Sequence, residues 1–172
     1  MNTGITSSIL SFFMNESSSD MKHLKVGDPA PAFEGVNENG ETVKLSDFKG
    51  KKLALFFYPA SGTPSCTAEA CSLRDHYQDL KDKGIEILGV SPDSVKKQQG
   101  FIKKHEFPYS LIADTDLKIL NDFGVWGPKK FMGREFDGVH RTTFLIDENG
   151  KIEHIVEKVQ SANHAAQILD LV

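Results

Sequence analysis

Leu53-Ala54-Leu55-Phe56-Phe57-Tyr58-Pro59-Ala60-Ser61-Gly62-Thr63-Pro64-Ser65-Cys66-Thr67-Ala68-Glu69-Ala70-Cys71 is the stretch on which the fold turns. Leu53–Tyr58 is a short unbroken apolar run ended by Pro59, the mark of a strand covered on both faces. A small-residue loop follows. Thr63 then suits a helix N-cap and Pro64 the first helical position, where its missing N–H costs nothing. A buried strand feeding a helix through a short loop is the unit of an α/β fold. In open α/β sheets, reactive groups gather at the C-terminal ends of such strands.

Working outward, the same alternation recurs. Asn39-Gly40 between residues 33–36 and 42–45 signals a hairpin. The helix opened by Pro64 is expected to run to Lys83, stopped by Gly84. Ile85–Ser91 reads as a second buried strand and residues 95–105 as a polar helix. Leu111–Ala113 reads as a short strand, and Leu117–Phe123 as a short helix before Gly124. Residues 141–147 and 151–157 form a hairpin around Glu148-Asn149-Gly150, and a last helix runs from near Ala162 to the C-terminus. The expectation is one α/β domain over residues 22–172, with a central mixed sheet carrying helices on both faces. Trp126 and the many Phe residues read as its core.

Composition narrows the function classes. Lys and Arg number 20 against 24 Asp and Glu, a formal charge of -4 in 172 residues. That leaves no basic face for nucleic acid and no polybasic segment for an anionic membrane. No apolar run approaches the ~18 residues of a membrane span. Lys96, Lys97, Lys103 and Lys104 read as a solvated helix face. Residues 1–20 are Ser-rich without Lys or Arg, unlike a secretory signal or a transit peptide. We expect a disordered extension over residues 1–21, or an upstream start ahead of Met14 or Met21, and a cytoplasmic protein.

Two cysteines are too few for a disulfide scaffold or a four-cysteine metal site. They are either structural thiols or a redox pair. Cys66 falls at the third helical position, where unpaired N–H groups and the helix dipole favour a thiolate. Cys66, Ala70, Leu73, Tyr77 and Leu80 share one apolar stripe. Cys71 falls with Arg74, Asp75 and Gln78 on another face. Five helical residues rotate about 140° net and rise about 7.5 Å, so the two Cα atoms stand roughly 8–9 Å apart. A disulfide wants less than about 7 Å, and the pair can meet only if the first turns unwind. Glu69 either tunes the cysteine or is a solvated helix carboxylate. The six His are scattered without metal-ligand spacing, His140 reads as a strand-surface residue, and no phosphate loop or dinucleotide fingerprint is present.

Pro59-x-x-x-Thr63-x-x-Cys66 resembles the active-site signature of peroxiredoxins. Residues 66–75 (CTAEACSLRD), 27–33 (GDPAPAF), 123–127 (FGVWG), 131–133 (FMG) and 141–147 (RTTFLID) are similar to the bacterioferritin comigratory protein, or peroxiredoxin Q, subfamily. The resemblance implies a thioredoxin-like fold and a peroxidase that needs neither cofactor nor metal. It further implies that Cys66 attacks the peroxide and Cys71 resolves the sulfenic acid. Thr63 hydrogen-bonds the thiolate and then the peroxide, Pro59 shields the sulfur, and Arg141 holds the thiolate and polarises the O–O bond. Thioredoxin or a similar dithiol recycles the enzyme. Without a resolving cysteine near the C-terminus, a monomer is expected. Ser65 departs from the subfamily's usual Gly and bears on the ease of unwinding. Three other readings stand beside this one. They are a dithiol oxidoreductase, which normally carries C-x-x-C, a peroxidase using Cys66 alone, and a non-enzymatic binding module.

Overall fold

The computed structural model describes residues 23–172, and the extension expected over residues 1–21 lies outside them. The described residues form nine strands: β1 (Glu34–Val36), β2 (Thr42–Lys44), β3 (Lys52–Phe57), β4 (Ile85–Ser91), β5 (Ser110–Ala113), β6 (Trp126–Phe131), β7 (Arg134–Val139), β8 (Thr142–Ile146) and β9 (Ile152–Val156). Their α-helices are α1 (Pro64–Asp75), α2 (Tyr77–Asp82), α3 (Val95–His105), α4 (Lys118–Asp122) and α5 (His164–Leu169).

The central sheet has the order β5-β4-β3-β8-β9. β3, β4 and β5 run parallel, while β8 lies antiparallel to β3 and to β9. The mixed sheet expected from the sequence is therefore present. Its middle strand, β3, shows why an unbroken apolar run was needed. Leu53, Leu55 and Phe57 face one side, against Phe33, α4 residues Ile119 and Leu120, and Phe123 and Phe144. Ala54, Phe56 and Tyr58 face the other, against Ala70 and Leu73 of α1, Leu80 of α2, Phe101 of α3, and Ala165 and Ile168 of α5. Helices thus cover both faces, four of them on one side and α4 on the other beside the β1–β2 hairpin. Gly89 of β4 is fixed by this packing. A Cβ there would sit 2.5 Å from Leu111 Cδ2 and 2.7 Å from Phe56 Cζ.

Some expectations are corrected. The helix expected over residues 64–83 breaks at His76 (φ -112, ψ 20) into α1 and α2. Neither Gly nor Pro marks the break, and Leu73 and Leu80 stay buried across it. The C-terminal helix is shorter than expected, opening with a 3-10 turn at Ser161–Asn163 and ending at Leu169. The β6–β7 hairpin was not foreseen. Its turn, Met132-Gly133, takes positive φ at both residues (51° and 78°), the geometry that matches strand twist. Met in that place is a poor signal, and Pro128 inside β6 argues against a strand. This hairpin stands outside the central sheet. Phe131 and Phe136 are exposed on it, so these two aromatics are not the core residues expected, whereas Trp126 is half-buried against the core.

Candidate active site

Strand pairing assembles the site. Phe57, at the end of β3, pairs with Thr142 at the start of β8, so Arg141 arrives beside the loop that opens α1. Arg141 Nη2 donates to Cys66 Sγ at 3.3 Å, across 75 residues of chain. Its other nitrogen, Nη1, donates to Glu69 Oε1 at 2.6 Å. Cys66 is 1% exposed, and the Arg141 side chain 18%. The sulfur therefore meets a guanidinium in a site that water scarcely reaches, where an ionic hydrogen bond is stronger than at the surface.

Glu69 lies three residues beyond Cys66 on α1 and is fully buried. The reading of it as a solvated helix carboxylate is corrected. Burial pushes its pKa up from 4.5 to about 7, against the pull of Arg141. Thr143 and His164, which the sequence reading did not single out, lie behind it. Thr143 Oγ1 and His164 Nε2 are 2.7 Å apart in the core. A threonine in an otherwise apolar strand such as β8 was the available signal, because a buried hydroxyl must find a partner.

Thr63 occupies the N-cap of α1 and Pro64 its first position. The Thr63 hydroxyl makes no cap bond; it donates to Ala60 O at 3.0 Å. Its hydrogen is used on that carbonyl, so the bond to the Cys66 sulfur expected of it is not made in this structure, and its lone pairs are left free to accept. Pro59 is half-buried at the start of the loop. The loop is pinned from behind by Asp93, whose Oδ2 accepts from Ser61 N–H (2.7 Å), Ser61 Oγ (2.8 Å) and Ser91 Oγ (2.7 Å). Gln98 joins this cluster to the core, donating to Ser91 Oγ at 2.8 Å and accepting from the Tyr58 hydroxyl at 2.6 Å.

Cys71 is half-buried and, like Cys66, a free thiol. Its sulfur is 3.9 Å from Nδ1 of His105, the last residue of α3. Arg74 clamps the same corner, donating from Nη1 to His105 O at 2.9 Å. Burial, with Lys104 and Arg74 nearby, lowers the His105 pKa. Lys129 Nζ donates to Val139 O at 2.8 Å, and burial together with Arg141 lowers the lysine's pKa. His140, expected on a strand surface, sits just ahead of β8 with Nε2 3.0 Å from Pro128 O. No group of three His, Cys, Asp or Glu among the described residues is placed to hold a metal ion.

Comparison with known proteins places this geometry in a family. A profile of the AhpC/TSA family matches residues 26–155. A protein of Haemophilus influenzae named as a putative peroxiredoxin bcp is 47% identical over 150 residues, covering 87% of this chain and 97% of that one. The peroxidoxin BcpB of Mycobacterium tuberculosis superposes with a TM-score of 0.77 at 33% identity, over 87% of this chain and 96% of that one. The bacterioferritin comigratory protein of Xanthomonas campestris, solved in work on its alkyl peroxide reduction, has a TM-score of 0.78 at 31% identity, over 86% and 94% of the two chains. A thioredoxin-fold sheet, a buried cysteine at a helix start and an arginine on its sulfur accord with these likenesses: the chain belongs to the AhpC/TSA family and is a peroxiredoxin, a thiol peroxidase.

Proposed function

We propose that Cys66 is the peroxide-attacking thiolate of this peroxidase, that Cys71 resolves it, and that a dithiol of the thioredoxin type recycles it. The supporting observation is the 3.3 Å contact from Arg141 Nη2 to Cys66 Sγ. A guanidinium there stabilises a thiolate and then the negative charge that builds on the peroxide oxygens.

In the reaction the thiolate attacks one peroxide oxygen and the O–O bond breaks. Its electron pair leaves on the other oxygen, which takes a proton and departs as water or an alcohol. Cys66 is left as a sulfenic acid. Cys71 then attacks that sulfur, and hydroxide leaves with the thiol's proton as water. Two exchange steps with an external dithiol reopen the disulfide. Pro59 shields the sulfur, and the Thr63 hydroxyl, its hydrogen on Ala60 O, accepts a hydrogen bond from the peroxide O–H. A free thiol is already a few per cent ionised at neutral pH, so full ionisation gains only about 30-fold. Arg141 and Thr63 must supply the rest by activating the peroxide.

Helical geometry requires α1 to unwind before Cys71 reaches Cys66. The substrates are hydrogen peroxide and organic hydroperoxides, the latter supported by the activity named for the Xanthomonas protein. The protein acts as a cytoplasmic monomer. Among the described residues no helix is long and apolar enough to cross a membrane. Steady-state peroxide consumption with a thioredoxin-type dithiol tests this reading. Wild type turns over, Cys66→Ser is inactive, and Cys71→Ser is inactive with the protein dithiol. Full turnover by Cys71→Ser with that dithiol would instead establish a single-cysteine peroxidase.

A further inference from the structure

Arg141 uses only one oxygen of Glu69. The other, Oε2, is buried without a hydrogen-bond partner. His164 Nε2 lies 3.6 Å from it, and both side chains are fully buried. The protonation of His164 follows from Gln167. Gln167 Nε2 donates to Lys158 O at 3.0 Å while Oε1 accepts Gln160 N–H at 2.9 Å, which fixes the amide's orientation. The same Oε1 is 2.9 Å from His164 Nδ1. An amide oxygen only accepts, so Nδ1 carries the hydrogen. In the neutral ring Nε2 is a bare lone pair, and it accepts from Thr143 Oγ1 at 2.7 Å. Burial, with the nearby charge of Arg141, lowers the His164 pKa and so favours that neutral ring, against the bond to Gln167. The one lone pair of Nε2 is thus engaged by Thr143, and no hydrogen lies between Nε2 and the carboxylate oxygen 3.6 Å away.

We propose that Glu69 and His164 take up one exchangeable proton between them, and that this proton decides how firmly Glu69 holds Arg141 against Cys66. The proposal rests on Cys66 being the peroxide-attacking thiolate. When the proton is on, the Thr143 hydroxyl turns its hydrogen off Nε2, and a carboxyl O–H donates to Nε2 or an imidazolium N–H donates to Oε2. Either way the charge that Glu69 offers Arg141 is cancelled or shared. When it is off, the full carboxylate draws Arg141 in at 2.6 Å. Glu69 thereby acts as a positioning residue whose grip depends on pH, and His164 as its proton partner. The groups facing the pair are Arg141 at the head of β8, Cys66 on α1 and Lys129 on β6, which faces Arg141 and Cys66. Tyr109 ahead of β5 completes the set. Its phenol stays neutral, raised well above its ordinary range by burial, and donates to Ala70 O at 2.6 Å. The position of Glu69, with a pKa near 7, sets the proton's uptake close to neutrality.

Two measurements on the reduced full-length protein test this. The first is NMR with 15N-histidine and 13C-glutamate labels. Hydrogen on His164 Nδ1 is expected, with coupled shifts of the Glu69 carboxyl and His164 Nε2 that have their midpoint between about pH 6 and 8. A Glu69 carboxyl that stays ionised down to pH 5 beside an unchanging His164 overturns the proposal. The second follows the rate of reaction with hydrogen peroxide against pH, beside the ultraviolet absorbance of the thiolate. From about pH 8 to 6 the rate is expected to fall about tenfold more than the thiolate signal, the effect of one additional proton. Glu69→Gln and His164→Gln are expected to remove that excess. A wild-type rate that merely tracks the thiolate overturns the role given to the proton. A protein that does not react with peroxide at all refutes the Cys66 reading, whereas the NMR titration judges the shared proton without it.

Discussion

At the scale of single residues, the proposed mechanism asks more of Arg141 than of any other side chain apart from the cysteines. It touches the sulfur at 3.3 Å and the carboxylate behind it at 2.6 Å. Arg141→Ala is expected to slow peroxide reduction by about 10²–10³-fold, the range for loss of one preorganised donor to a developing negative charge. The loss is expected to exceed any fall in the thiolate fraction, with both measured on the same reduced sample. Glu69 makes a prediction about stability. Its pKa is raised in the folded protein, from 4.5 to about 7, so between those values the folded state binds more protons than the unfolded state. Its favourable contribution is complete below about pH 4.5 and lost as pH rises through 7. The interval amounts to a loss on the order of 3 kcal/mol. Urea unfolding at pH 5 and pH 8 is expected to show wild type losing stability relative to Glu69→Gln by up to that amount. A constant difference between the two proteins would mean that Glu69 is not perturbed.

At the scale of elements, α1 is tied to the C-terminal segment both at its start and in its last turns. Ser65 Oγ lies 2.9 Å from Ser161 Oγ on the C-terminal 3-10 turn. Deeper in the helix, Ser72 Oγ accepts from Ala165 N–H at 3.1 Å. Resolution by Cys71 as proposed requires α1 to unwind, and the Ser65 bond to Ser161 must break for that. A surface hydrogen bond together with the helix preference of Ser over Gly is worth roughly 1 kcal/mol. Ser65→Gly is therefore expected to speed disulfide formation several-fold, with little change in the rate of peroxide attack. Stopped-flow fluorescence of the reduced protein mixed with peroxide separates the two phases. Much of this layer was legible beforehand. Ile85–Ser91 and Val95–His105 lie where the sequence put them, the first as an unbroken apolar run and the second as the polar segment that follows it. The β6–β7 hairpin was hidden for the opposite reason. Most of its residues are exposed, so no burial pattern marks them, and its turn is built on Met132.

At the scale of the whole molecule, the sheet brings Arg141 and Cys66 together through one register. Phe57 pairs with Thr142, and the core on either side of β3 holds that register rigid. Gly89→Ala tests the rigidity. Its new methyl meets Leu111 and Phe56 at under 3 Å, and a loss of about 1–3 kcal/mol in urea unfolding is expected for an overpacked core. The positions of Cys66 at the helix start and of Thr63 at its cap could be read from the sequence because they are local. That Arg141 belonged with them came only through a resemblance, since 75 residues separate the partners. The Glu69–His164 contact joins α1 to α5 and had no local signature at all. The most direct test of the account is the intact mass, under denaturing and non-reducing conditions, of reduced protein given one equivalent of hydrogen peroxide. The account predicts loss of two hydrogens in wild type, an added oxygen in Cys71→Ser and no change in Cys66→Ser. Oxidation that survives in Cys66→Ser, or a wild type that gains oxygen without closing a disulfide, would contradict it.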